Sequence, residues 1–154
     1  MASFGRVDLK SLVDRAAAEC CLRAGDRVIS FEVGPLPSIH GDPAMLLILF
    51  ENIIGNAVKF SHTDVTPVVR ISARLDGAGW RIDVADNGIG IESQDLQTVI
   101  RPFSRLHSRS AYPGAGLGLA SALKVARMHD GRLWLDSAPG QGTTVHLWFP
   151  RVVD

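Results

Sequence analysis

The sequence predicts an α+β fold: a two-layer α/β sandwich whose mixed, mostly antiparallel sheet carries its helices on one face. Three observations lead there. Two stretches place apolar residues at helical spacing. Alternating runs at 68–75 and 80–86, and again at 132–137 and 143–149, are joined by glycine-containing turns. A chain of 154 residues that is 46% apolar can bury one sizeable core but not two. Residues 7–150 therefore read as one domain, with 1–6 as a tag or linker remnant and 151–154 as a tail.

Asp8 is placed to cap a helix through LKSLVDRAAAECC, where Leu9, Leu12, Val13 and Ala16 share a face. RVISFEV reads as a short strand ended by Gly34-Pro35-Leu36-Pro37. Asp42-Pro43 is an N-cap followed by proline at the first helical position, opening a long helix to about Phe60. VVRISARL and WRIDVAD, joined by Asp76-Gly77-Ala78-Gly79, form a hairpin signal. A helix around SQDLQTVI, an irregular stretch over 102–116 and a helix over 117–129 follow. The strands RLWLDS and TTVHLWF close the chain, turning at Ala138-Pro139-Gly140-Gln141-Gly142.

Composition narrows the function. Sixteen basic and sixteen acidic residues cancel, so no global charge points to nucleic acid or an anionic membrane surface, and any anion site must be local. The apolar run MLLILF stops at Glu51, far short of the roughly 20 residues of a membrane span. No charged-then-apolar signal pattern opens the chain, and a soluble, cytoplasmic protein without membrane contact is expected. The adjacent Cys20 and Cys21 suit neither a disulfide framework nor a zinc site.

Three segments carry chemistry. In ENIIGNAVKF, Asn52, Asn56 and Lys59 are spaced i, i+4, i+7 on one face of an otherwise apolar helix. They read either as the solvated face of an amphipathic helix or as ligand groups: an amide oxygen suits Mg2+, and a lysine suits phosphate. In DNGIGI, Asp86 beside Gly88 and Gly90 is either an ordinary Asx turn or a carboxylate that accepts adenine's exocyclic amine. The third is GAGLGLA, which closes a stretch with no acidic residue between Asp95 and Asp130 but with Arg101, Arg105, Arg109, Lys124 and Arg127. Its glycines read as a hinge or as a phosphate-binding entry to a helix. They match neither a P-loop nor a Rossmann fingerprint.

Together, in this order, the asparagine-rich helix, the DxGxG turn, the phenylalanine-containing segment and the GxGLGLA loop resemble the N, G1, F and G2 boxes of the histidine kinase ATPase domain. Its superfamily, with the Bergerat-type fold, includes gyrase, the ninety-kilodalton heat-shock chaperones and MutL. The likeness extends to Asp42-Pro43, MHDGRLWLDS and PGQGTTVHLWFP, and PFSRLHSRSAYPGAGLGLA resembles the lid of the phytochrome-type sensor kinases.

The resemblance implies ATP and Mg2+ as ligands. Asn56 would coordinate the metal, with Asn52 and Lys59 on its shell and the triphosphate. Asp86 would bind the adenine amine in a pocket shaped by Gly88 and Gly90, bordered by Ile89 and Ile91. Gly114, Gly116 and Gly118 would wrap the phosphates, with Ala115, Leu117, Leu119 and Thr143 completing the site. Phe103 would anchor the lid, and Arg105 would reach the γ-phosphate; Asn52, Lys59 and Arg105 are the expected catalytic residues. Two positions depart from the pattern. Ile100 stands where the first phenylalanine of the F box is usual, and Asp130 stands where glycine is usual, at a position expected to be structural.

None of His40, His62, His107, His129 and His146 has the helical setting of a phosphoacceptor, so the expected partner is a separate dimerisation and phosphoacceptor helical domain. A response regulator is an indirect partner, and the isolated domain is expected to be a monomer. A different class of function remains open beside the kinase: a regulatory module that holds nucleotide without phosphotransfer. A serine kinase of the anti-sigma type shares the N and G1 boxes but fits the Phe103 segment and the long basic stretch less well.

Overall fold

Aspartates open the first two helices. Asp8 accepts the Lys10 N–H through Oδ1 at 3.0 Å and starts α1 (Leu9–Ala24). Asp42 accepts the Ala44 and Met45 N–H groups at 2.9 and 3.1 Å and starts α2 (Pro43–Lys59), with Pro43 where its missing N–H is harmless. A third helix, α3, spans Ala115–Met128. The strands are β1 (Gly5–Asp8), β2 (Ser30–Val33), β3 (Ser38–Gly41), β4 (Val68–Asp76), β5 (Gly79–Asp86), β6 (Arg132–Ser137) and β7 (Thr143–Pro150). The computed structural model describes residues 4–59, 61, 64–89, 115–138 and 140–151.

Five strands form one sheet in the order β2-β4-β5-β7-β6, with β2 parallel to β4 and every other pair antiparallel. The helices form the second layer, α2 packing between α1 and α3 and resting on β4 and β5. This is the mixed sandwich expected. Alternation decides which side of each strand meets the helices: Ile82 and Val84 of β5, Val145, Leu147 and Phe149 of β7, and Leu133 of β6 are all buried there. From α2, Leu46, Leu49, Phe50, Ile53, Ile54, Ala57 and Val58 sink into the same core. Their spacing makes an apolar stripe wide enough to touch the sheet and both flanking helices.

The opposite face of the sheet is polar and tied across strands. His146 lies between two carboxylates, Nδ1 2.6 Å from Asp83 Oδ1 and Nε2 2.6 Å from Asp136 Oδ2, and stacks on Trp134. Burial alone would raise the Asp83 carboxyl, but the bonds with His146 and Arg81 outweigh it and leave the group below its ordinary range.

The fold differs from the sequence reading in several places, among them α1, which runs past Cys21 to Ala24. A small antiparallel pair, β1 with β3, was not foreseen; it joins Gly5 to Gly41 and Val7 to Ile39. These strands are four residues long with one buried apolar residue each facing the core, too little for a periodic signal. Gly5 and Arg6, grouped with the leading segment in that reading, thus belong to a strand. The third helix begins at Ala115 rather than at 117, so Gly116 and Gly118 lie inside its first turn. Each helical glycine costs about 1 kcal/mol relative to alanine, a penalty offset here because Leu119, Ala122, Val125 and Ala126 bury the helix face. Finally, β2 begins at Ser30, three residues later than the alternating run suggested. The helix expected around SQDLQTVI and the stretch 102–114 lie outside the described residues.

His129 locks α3 to the start of α2. Its Nε2 accepts the Asp42 N–H at 3.0 Å, so the proton sits on Nδ1 and is donated to the Val125 carbonyl at 2.8 Å. The helix then ends in a Schellman motif: the Gly131 N–H reaches the Ala126 carbonyl at 2.8 Å and the Asp130 N–H the Arg127 carbonyl at 3.1 Å. That motif places Asp130 at φ 57°, a left-handed conformation that favours glycine. The position is structural, as expected. Asp130→Gly should therefore raise unfolding free energy by roughly 0.5–1 kcal/mol, measured by denaturant titration; an unchanged or lower midpoint would contradict this account of the helix end.

Candidate functional site

The helix-facing side of the sheet changes character at one end. Asp86 follows Ile82 and Val84 on that side of β5, Thr143 precedes Val145 on β7, and Ser137 pairs with Thr143 across β6. Three polar side chains therefore stand in a row on adjacent strands where core residues stop. Asp86 Oδ1 accepts two backbone N–H groups, from Gly88 at 2.8 Å and from Thr143 at 3.1 Å. Its Oδ2 has no hydrogen-bond partner among the described residues. Burial raises the Asp86 carboxyl above its ordinary range, and the two N–H groups only partly oppose the rise. The Asx bond to Gly88 expected of an ordinary turn is thus present, and it leaves one carboxylate oxygen for something else.

The turn between β6 and β7 is built onto this carboxylate. The Gly140 N–H donates to the Ile89 carbonyl at 2.6 Å. Gly142 adopts φ 84°, and a Cβ there would stand 2.0 Å from the Asp86 carbonyl oxygen, so no other residue fits. Asn87 holds the other flank: its Oδ1 accepts the Val68 N–H at 2.8 Å and its Nδ2 donates to the Thr66 carbonyl at 3.1 Å. These supporting roles of Asn87, Gly140, Gly142 and Ser137 escaped the sequence reading. The cluster PGQGTT carried a turn signal, but nothing in it says which other turn it touches.

The second group of expected site residues is the polar stripe of α2. Asn52 and Asn56 are half-buried and Lys59 is exposed. The Asn56 Nδ2 is buried without a hydrogen-bond partner among the described residues, an arrangement that costs about 1–3 kcal/mol unless a ligand completes it. A solvated face would not leave that atom dry. Asn52, Gly55, Asn56 and Lys59 border a groove of about 340 Å3, whose far wall is Cys20 and Arg23 of α1. Burial also pushes the Cys20 thiol up, so it is protonated and suits packing rather than reaction.

The other expected site residues are distributed as follows. Gly88 is buried and Ile89 half-buried in the turn after β5. Ala115, Gly116, Leu117 and Gly118 form the opening of α3, where a helix's first N–H groups have no partner within the helix. Leu119 is buried. Gly90, Ile91, Phe103, Arg105 and Gly114 lie outside the described residues. Among the described residues no group of three or more His, Cys, Asp or Glu side chains is placed to hold a metal ion. No helix among them is long and apolar enough to cross a membrane.

Comparison with known proteins fits this geometry. Residues 41–153 match the family described as histidine kinase-, DNA gyrase B-, and HSP90-like ATPase. The phytochrome-like protein Cph1 of Synechocystis is 36% identical over 143 residues, 93% of this chain, which spans 19% of that relative's length. The mycobacterial sensor histidine kinase MprB has a solved structure that matches with a TM-score of 0.80 and 30% identity, covering 98% of this chain and 100% of that one. The solved ATP binding domain of PrrB from Mycobacterium tuberculosis matches with a TM-score of 0.74 and 32% identity, covering 97% and 98% of the two chains. The chain belongs to the histidine kinase-, DNA gyrase B- and HSP90-like ATPase family, as a catalytic ATP-binding domain of the sensor histidine kinase type.

Proposed function

We propose that the chain binds ATP with Mg2+ and donates the γ-phosphoryl group to a histidine on a separate helical domain, in two-component signalling in the cytoplasm. The observation that carries the nucleotide reading is the half-used Asp86 carboxylate, with Oδ1 held by Gly88 and Thr143 and Oδ2 without a hydrogen-bond partner among the described residues. An anionic acceptor held this rigidly favours the exocyclic amine of adenine and opposes the carbonyl that guanine carries at the same place. The triphosphate would run beneath α2, with Lys59 as a point charge and Asn52 beside it, toward the N–H groups that open α3.

Asn56 fits a metal site by the chemistry of its amide oxygen, and its buried Nδ2, without a hydrogen-bond partner among the described residues, is a donor suited to an acceptor such as a phosphate oxygen. Mg2+, when bound, supplies charge neutralisation for the phosphates. The protein's own share is to hold the nucleotide and keep the γ-phosphate in line with an acceptor. Of the chain's histidines, His129 and His146 are 5% and 4% exposed with both ring nitrogens engaged, which suits neither as acceptor. Arg105, Phe103, Gly90, Ile91 and Gly114 complete the site in this proposal.

Four outcomes test it. Asp86→Asn should weaken ATP binding by about tenfold or more in calorimetry, since hydrogen bonds to a charged group are worth roughly 1.5–3 kcal/mol. The same variant should lose none of its ligand-free thermal stability, because the buried carboxylate is held at a cost above its raised pKa. Undiminished affinity would sink the adenine assignment. Affinity of the parent should also fall on acidification, starting above the ordinary carboxylate range, as Asp86 gains a proton, while Asp86→Asn shows no such fall. Incubation with labelled ATP and candidate phosphoacceptor hairpins should give an acid-labile, base-stable label on the hairpin. Nucleotide binding with no label on any cognate hairpin would instead mark a regulatory module.

A further inference from the structure

Ser137 is not among the residues expected to contact nucleotide, yet it controls a hydroxyl that borders the Asp86 carboxylate. Its Oγ lies 2.9 Å from the Gly142 carbonyl and 2.7 Å from the Thr143 Oγ1. A serine hydroxyl has one proton, and a carbonyl can only accept. Ser137 therefore donates to Gly142, and in the second contact Ser137 accepts and Thr143 donates. The Thr143 proton is thus turned sideways along the sheet toward β6. What its Oγ1 offers a ligand is lone pairs alone.

We infer that Ser137 is a specificity-determining residue, which holds Thr143 as a pure acceptor beside Asp86 so that the pocket takes a base with an amine and rejects one with a carbonyl. The inference rests on the nucleotide reading of Asp86 proposed above. The geometry behind it is a chain of contacts across three strands. The Thr143 N–H donates to Asp86 Oδ1 at 3.1 Å, which sets the Thr143 side chain next to the carboxylate on the helix-facing side. Gly142, whose carbonyl takes the Ser137 proton, lies so close to the Asp86 backbone that a Cβ there would clash with it. Two neighbouring acceptors, Asp86 Oδ2 and Thr143 Oγ1, then suit the two hydrogens of an exocyclic amine, directly or through a water. A purine with oxygen at that position faces repulsion from both. Without the Ser137 hydroxyl, the Thr143 O–H is free to turn and donate, so an oxygen-bearing base gains a partner.

ATP and ITP differ in the purine only at this amine-or-carbonyl edge, which makes their affinity ratio the readout. Calorimetry on the chain with Mg2+ should show the parent preferring ATP. Ser137→Ala should lower the ATP:ITP affinity ratio by roughly fivefold to tenfold, mainly through tighter ITP binding. Ser137→Thr, which keeps the hydroxyl, should restore the ratio. Thr143→Val, which removes the acceptor while leaving the backbone N–H on Asp86, should lower the ratio as well and serves if Ser137→Ala melts early. A merely structural role would weaken both nucleotides equally and leave the ratio unmoved, and either an unmoved ratio or an equal loss overturns the inference. Failure of the parent to bind ATP at all would overturn the nucleotide reading itself, and with it this inference.

Discussion

One carboxylate oxygen receives two backbone N–H groups at the end of the sheet, and the placement of everything near the site follows from that pair of bonds. Asp86 Oδ1 draws the turn after β5 to itself through Gly88 and draws the start of β7 through Thr143. Because the strands are already registered by their ladder, the two bonds define where β7 begins and hence where the turn from β6 must pass. That turn is close enough to Asp86 to exclude any side chain at position 142. A buried carboxylate is unfavourable unless hydrogen bonds or charges compensate it, and two N–H groups compensate only in part. The remainder is a standing preference for a donor at Oδ2. A fold that stopped at stability would place an apolar residue there, continuing the series Ile82, Val84.

The second constraint is the double duty of α2. One side of this helix fills the core with Leu46, Leu49, Phe50, Ile53, Ile54 and Ala57, fixing the helix on the sheet, while the other carries the amides and the lysine. Rigid burial of one side is what makes the other side a precise platform. Its entry is pinned from across the molecule: the Asp42 N–H, at the start of α2, is held by His129, at the end of α3. Two helices that flank the proposed phosphate path are thereby tied to each other at their far ends. Removing that bond would leave a buried N–H and a buried ring nitrogen unpaired, a loss of about 1–3 kcal/mol for each group.

Much of this was legible in the residues. Asp8 and Asp42-Pro43 signalled their helices because a cap is a local event, readable from two or three neighbours. The β4–β5 and β6–β7 hairpins were legible for the same reason, with partners close in sequence. What was not legible depends on contacts between distant segments. The pairing of β1 with β3 rests on single apolar residues, Val7 and Ile39, whose burial follows from packing rather than from pattern. The glycines at 116 and 118 suggest a loop by their intrinsic preference, and the structure overrides it with the burial of Leu119, Ala122 and Ala126 on the following turns. At the site, Asn56 stands out because its polarity breaks an apolar helix, and Asp86 because it is a carboxylate beside the glycines of a turn. Ser137 and Asn87 look like ordinary turn residues, and only the tertiary contacts show whose positions they hold.

In the proposed complex Asp86 and Asn56 grip opposite ends of one nucleotide. A crystal structure of the chain with Mg2+ and a non-hydrolysable ATP analogue tests this most directly. The adenine amine is expected within hydrogen-bonding distance of Asp86 Oδ2 and the metal on the Asn56 amide oxygen, with the phosphates running toward the N-terminus of α3. A nucleotide bound elsewhere, or bound with its base away from Asp86, would contradict it.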